Sequence, residues 1–170
     1  MTPAPVSPDL IILADRASIE NLMTDYYANI GKRNFDFSVY FAPGGVLDVN
    51  GLVATGADEI KALYVRAGGG AGALPKASPD PNAPPPGGPH MQMTNLKVEV
   101  KGDSGIADLF WSTLMSETLT SPPRVTEYGR ERTELVKRDG RWLIKRRVVT
   151  SFGGMPEGLM EPYRKSRMAR

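Results

Sequence analysis

The sequence contains no cysteine and a single histidine, His90. The first absence removes disulfides, thiol nucleophiles, iron–sulfur clusters and cysteine zinc sites together. The second leaves no histidine-rich metal site. Proton chemistry therefore rests on carboxylates, tyrosines, lysines, arginines or His90, and no cofactor is expected. Net charge is also scarce, at +2, so the chain as a whole implies no polyanion partner. The tail Tyr163–Arg170 is locally basic and reads as a solvated end, so nucleic acid is not an expected partner. No apolar run approaches membrane-spanning length, and residues 1–8 lack the basic-then-apolar order of a signal peptide. The expectation is a cytoplasmic protein with no membrane partner.

What is present suits one soluble domain: 170 residues, 41% hydrophobic and 24% charged. Residues 15–31 show apolar positions at Ile19, Leu22, Met23, Tyr26 and Ile30, one face of a helix. Asp15 fits its N-cap and Gly31 its stop. A short helix over Phe35–Phe41 follows, closed by Pro43-Gly44-Gly45. A strand at Val46–Val49 leads to Asn50-Gly51, and a third helix covers 56–67 with Asp58 and Glu59 in its first turn.

Residues 68–89 then hold seven prolines and six glycines, ending against His90. Loops of this length tend to be lids, binding loops or linkers. A lid over a bulky ligand is one expectation and a plain surface insertion the other. Beyond it the pattern alternates with period two through "MQMTNLKVEV", Gly102-Asp103 and "GIADLFWSTLMSE". Ser121-Pro122-Pro123 breaks the run. Two further strands flank Asp139-Gly140, a two-residue hairpin signal. Helices first and antiparallel strands after predict an α+β fold, helices packed on one face of a curved sheet.

The order of "NFDFSVYFAPGGVLDVNG", "GADEIKALY", "HMQMTNLKVEV" and "ELVKRDGRWLIKRRVV" after the Ile19, Leu22, Tyr26 helix resembles the SnoaL-like branch of the nuclear-transport-factor-two-like superfamily. The resemblance covers roughly residues 13–150. It implies a cone-shaped α+β barrel, a bent sheet wrapped around helices with a pocket at the open end. One domain spans 1–170, with a core over 13–152 and a basic tail over 153–170. It also implies a dimer or trimer and cofactor-free proton chemistry, as in the dehydratase, isomerase and polyketide-cyclase members. Some SnoaL-like lyases of lignin breakdown instead release formaldehyde from diaryl diols.

The dehydratase-like members use an Asp–His pair. At the acid position this chain has Gly31, and at the base position Met91, with His90 one residue earlier. That dyad does not carry over. Tyr26 matches the helix tyrosine that serves as oxyanion donor in the isomerase members; the alternative is a core tyrosine. Tyr27 would edge the same pocket. Asp48 lies one residue from the isomerase's aspartate position and is a candidate base or a solvated strand residue.

Period two through "YGRERTEL" places Gly129, Glu131, Thr133 and Leu135 on one face. A carboxylate there would be partly desolvated and raised toward the range of a general base, unless a cation lowers it. Counting along "RWLIKRRVV" from Ile144 makes that cation Arg146 and sends Arg147 outward. His90 is a second candidate for proton transfer. Met91, Met93, Trp111 and Met115 are the expected apolar lining for an aromatic or polycyclic ligand. The functional expectation is a lyase losing water or formaldehyde. The alternatives are an isomerase, a cyclase or a binding protein without turnover.

Overall fold

The computed structural model describes residues 7–30, 35–67, 80, 82, 83 and 87–168. The elements are α1 (Pro8–Asn29), a single 3₁₀ turn (Phe37–Tyr40), β1 (Phe41–Val49), β2 (Leu52–Thr55), α2 (Gly56–Arg66), β3 (Pro89–Lys101), β4 (Ser104–Met115), β5 (Arg124–Arg138), β6 (Arg141–Gly153) and α3 (Glu157–Met168). The strands form one sheet in the order β2-β1-β6-β5-β4-β3. All neighbours are antiparallel except β1 and β6, which run parallel, so the sheet is mixed. Most of the Gly/Pro-rich stretch, and Gly31, lie outside the described residues. No described helix is long and apolar enough to cross a membrane.

Helix α1 begins earlier than the periodicity predicts. Pro8 stands in its first turn, where a missing N–H costs nothing. Asp15 is therefore no cap. It sits mid-helix, 8% exposed, and its Oδ1 accepts from Lys137 Nζ at 2.6 Å and Trp142 Nε1 at 3.0 Å. Ile19, Met23, Tyr26 and Tyr27 continue the same buried stripe onto the sheet. Asp15 thus ties the start of this stripe to the β5–β6 hairpin, and Tyr27 ties its far end to Glu131 on β5.

That hairpin turns at Asp139 and Gly140, both with positive φ (50° and 76°), which is why the Asp-Gly pair stands there. Pro43-Gly44-Gly45 does not end an element as expected. It lies inside β1, where pairing to β6 jumps from Phe41–Ile144 to Val46–Arg146.

A second irregularity decides the chemistry. Leu135 pairs with Ile144, but Glu134 pairs with Arg146, leaving Lys145 as an extra residue on β6. Such a bulge shifts the alternation of faces by one. Trp142 and Ile144 are buried, Lys145 and Arg146 are exposed, and Arg147 and Val149 are buried again.

The basic tail is not a loose end. Residues 157–168 form α3, and Leu159 is 1% exposed. Gly158 lies against the end of α2 so closely that a Cβ there would stand 1.8 Å from the Arg66 carbonyl oxygen.

Candidate active site

Helix α1 covers the half of the concave face nearest the β5–β6 turn. The other half, past Glu131, stays open and forms a pocket of about 510 Å³, walled by the sheet, α2 and the start of α3. Its apolar lining includes Leu47, Val49, Leu63, Met91, Trp111 and Met115. Tyr27, Tyr64, Thr113, Glu127 and Arg147 supply polar groups.

Arg147 organises the inner end. Its Nη2 donates to Glu131 Oε2 at 2.5 Å, and its Nη1 donates to the hydroxyl oxygens of Tyr26 and Tyr64, each at 2.7 Å. Its guanidinium carbon also lies 4.2 Å from the Tyr26 ring centroid, a cation–π contact. Glu131 accepts two further bonds, from Tyr27 Oη at 2.7 Å and from Thr133 Oγ1 at 2.6 Å. Both charges are withdrawn from water, with side chains 6% and 0% exposed. Tyr64 is held by a stacked Phe37, centroids 4.3 Å apart.

These contacts fix the protonation states. Burial alone would raise the Glu131 carboxyl, but the Arg147 charge and the hydrogen bonds from Arg147, Thr133 and Tyr27 outweigh it. The carboxyl lies below its usual value. Burial, with the Glu131 charge, pushes the Tyr27 phenol well above the ordinary range. Burial pushes Tyr64 up to about 12. Both phenols stay protonated at neutrality, and Tyr64 has no acceptor for its own proton among the described residues. Glu127 behaves in the opposite way to Glu131. It sits on the pocket wall without a cation partner among the described residues, and burial raises it.

Several predicted site residues stand elsewhere. Glu131 is inward, but it lies behind Tyr27 and Arg147 and does not reach the pocket wall. Its cation is Arg147, not Arg146, because the Lys145 bulge reverses the count. Arg146 faces outward and pairs with Asp48 at 3.2 Å, so Asp48 is on the outer face too. His90 is exposed opposite Leu114, on the face away from Met91, and no bulge turns it inward. Tyr26 is 0% exposed and touches Arg147 rather than the pocket. Tyr27, Met91, Trp111 and Met115 line the pocket as expected, whereas Met93 packs against the core.

Three residues escaped the sequence reading. Arg147 was hidden by the bulge, which period two does not show. Tyr64 carried a signal, four residues after the buried Ile60 on α2. Glu127 did as well, since the inward series Leu135, Thr133, Glu131, Gly129 reaches it two residues further on.

Solved structures of similar shape include a protein of unknown function from Mycobacterium tuberculosis, with TM-score 0.68 and 17% identity over 85% of this chain and 76% of that one. A second is an NTF2-like protein with a cystatin-like fold from Novosphingobium aromaticivorans, with TM-score 0.61 and 18% identity over 89% and 92% of the two chains. A third, a candidate scytalone dehydratase from the same organism, gives TM-score 0.59 and 20% identity over 82% and 85%. No curated protein matches the chain in sequence. The class defined by these comparisons is the α+β, cystatin-like fold of the NTF2-like proteins. Within it, the model of the SnoaL-like domain matches residues 12–148, and the chain belongs to that family.

Proposed function

We propose that the chain is a cofactor-independent lyase that removes water or formaldehyde from a hydroxylated aromatic molecule by acid–base chemistry. The observation that carries this reading is Glu127. It is a carboxyl raised by burial on the wall of an apolar pocket whose inner end presents the O–H of Tyr64 and the guanidinium of Arg147. A raised carboxyl is a stronger proton acceptor than an ordinary one, and elimination also needs fixed donors for the oxygen that gains charge.

In water loss, Glu127 takes the proton β to the substrate hydroxyl. The C–H electron pair forms the new double bond, the C–O bond breaks, and the Glu127 proton leaves with hydroxide as water. In formaldehyde loss, Glu127 takes the proton of a hydroxymethyl group. The O–H pair becomes the formaldehyde C=O, and the C–C bond breaks. Its electrons pass into a conjugated carbonyl of the substrate, whose oxygen, held by Tyr64 and Arg147, becomes an enolate or phenolate and is protonated on release. The SnoaL-like family and the candidate dehydratase among the similar folds support an enzyme of this kind. A cytoplasmic homo-oligomer of two or three copies completes the reading.

A second reading, a small-molecule-binding protein without turnover, is favoured by the state of Glu131 and His90. The first is locked in an ion pair and the second faces away from the pocket. Incubation with hydroxylated aromatics, diaryl diols among them, separates the two readings. A growing conjugated chromophore or released formaldehyde, lost in Glu127→Gln, supports the lyase. Tight binding without product from any substrate supports the binder.

A further inference from the structure

The burial of α1 begins at Asp15, which is bonded to Lys137 and Trp142 beside the Asp139-Gly140 turn. Residues 8–14 stand before that point, about 10 Å of helix at about 1.5 Å per residue. None of them is buried. Yet four in succession, Leu10, Ile11, Ile12 and Leu13, are aliphatic and between 44% and 60% exposed. A single exposed leucine is ordinary, but four together at a helix end form a patch of the kind that marks contact with another molecule.

Helical periodicity sorts these residues. Asp9, Ile12, Leu13 and Arg16 follow the i, i+3, i+4, i+7 spacing and share one face, with Leu10 at its border. Asp9 and Arg16 are exposed and have no ion-pair partner among the described residues. Along the axis this face reads acid, aliphatic, aliphatic, base. Such an order is complementary to itself when two copies run antiparallel. A two-fold axis between Ile12 and Leu13 sets Ile12 against the partner's Leu13 and Asp9 against the partner's Arg16, and the reverse pairs form with them. A parallel pair would set like charges side by side.

A lipid surface fits this patch less well. Helices that lie in a membrane interface carry several lysines and arginines on their polar face. Arg16 is the only basic residue of α1, and Asp9 stands at the apolar end.

Four aliphatic side chains fall well short of the roughly 20–30 residues that each partner gives a standard interface, so the contact is a weak one, micromolar or above.

We propose that residues 9–16 of α1 form a self-association surface, on which a second copy of this chain packs antiparallel through Ile12 and Leu13 with reciprocal Asp9–Arg16 ion pairs. The aliphatic contact supplies the affinity, and the exposed ion pairs set register and direction. This surface is independent of the lyase reading, and it gives the two-copy form of the homo-oligomer a defined contact.

The test is sedimentation equilibrium of the full chain from about 1 μM to about 1 mM. Wild type is expected to pass from monomer to dimer across that range. Leu13→Glu places a carboxylate at the centre of the contact and is expected to weaken the dimer about ten-fold or more. Asp9→Arg and Arg16→Asp each leave like charges facing and are expected to weaken it several-fold. The double variant, Asp9→Arg with Arg16→Asp, restores opposite charges and is expected to recover the wild-type dissociation constant. All three positions are exposed, so circular dichroism should be unchanged in every variant. A monomer throughout, or no recovery in the double variant, overturns the proposal. So does a monomer that co-sediments with phosphatidylcholine–phosphatidylglycerol vesicles, which would give the patch to a lipid surface. An oligomer indifferent to Leu13→Glu overturns it too, while leaving the homo-oligomer reading in place on another face. None of these outcomes bears on the product assay that judges the lyase reading.

Discussion

Arg147 Nη2 and Glu131 Oε2 meet at 2.5 Å where neither side chain reaches bulk water. Removing one partner of such a pair leaves the other as a buried, uncompensated charge. Glu131→Gln should therefore destabilise the fold by about 3–5 kcal/mol in urea unfolding at neutral pH.

The same pair sets an acid limit. The folded Glu131 carboxyl lies below the ordinary value of 4.5, so its contribution is complete above that value. It is lost as pH falls through the lower folded value. Wild type should lose stability steeply below about pH 4.5, and Glu131→Gln should show a shallower acid limb. Equal slopes in the two proteins would place the acid sensitivity elsewhere.

Neighbouring arginines on β6 should respond differently to the same change. Arg146 pairs with Asp48 at the surface, so Arg146→Ala should cost about 1 kcal/mol or less. Arg147→Ala strands Glu131 and removes donors from two tyrosines, and should cost several-fold more. Arg147→Lys should recover only part of this, because an ammonium lacks the planar fork that reaches Glu131 and both hydroxyls. Thermal melts of the three variants check the ranking.

At high pH the sign reverses. Tyr64 is raised from 10 to about 12, so the folded state favours its protonated form. That contribution is complete below pH 10 and is lost as pH rises through about 12. Phenolate absorbance should show late-ionising tyrosines, Tyr27 among them, and their number should fall by one in Tyr64→Phe.

Glu127→Gln tests the base. Activity should fall about 10²–10⁴-fold, while stability stays near wild type because Glu127 has no ion-pair partner among the described residues to strand. In wild type the acid limb of the rate profile should lie above the ordinary carboxylate value, following the raised Glu127 carboxyl. An unchanged rate in the variant would remove Glu127 from the chemistry.

Gly158→Ala would push a Cβ into the Arg66 carbonyl oxygen, and α3 must then move off α2. Faster limited proteolysis near residue 157, with weaker ligand binding, is the expected result.

Much of the fold was legible because short-range chemistry wrote it. Asp139-Gly140 named its own turn, and Ile19, Met23 and Tyr26 named the buried face of α1. What was illegible depended on tertiary context. Pro43-Gly44-Gly45 reads as a terminator, yet β6 pairs on either side of it and keeps it within β1. Pro162 and the charges around it disguise α3, whose anchor is the single buried Leu159. In the site, the inward Glu131 was readable from alternation alone. Its true partner was not, since only the register with β5 shows that Lys145 is surplus.

That surplus residue acts like a shift of reading frame for the two faces of a strand. Upstream of Lys145, the pocket side is counted on even positions; downstream, on odd ones. Deleting Lys145 would restore unbroken alternation and leave Arg146 outward and Arg147 inward, whereas keeping Lys145 without the bulge would carry the Arg146 guanidinium inward. In this fold the identity of the buried cation is thus set by the bulge that takes up Lys145, and a strand that paired without that bulge would offer Glu131 the neighbouring arginine instead.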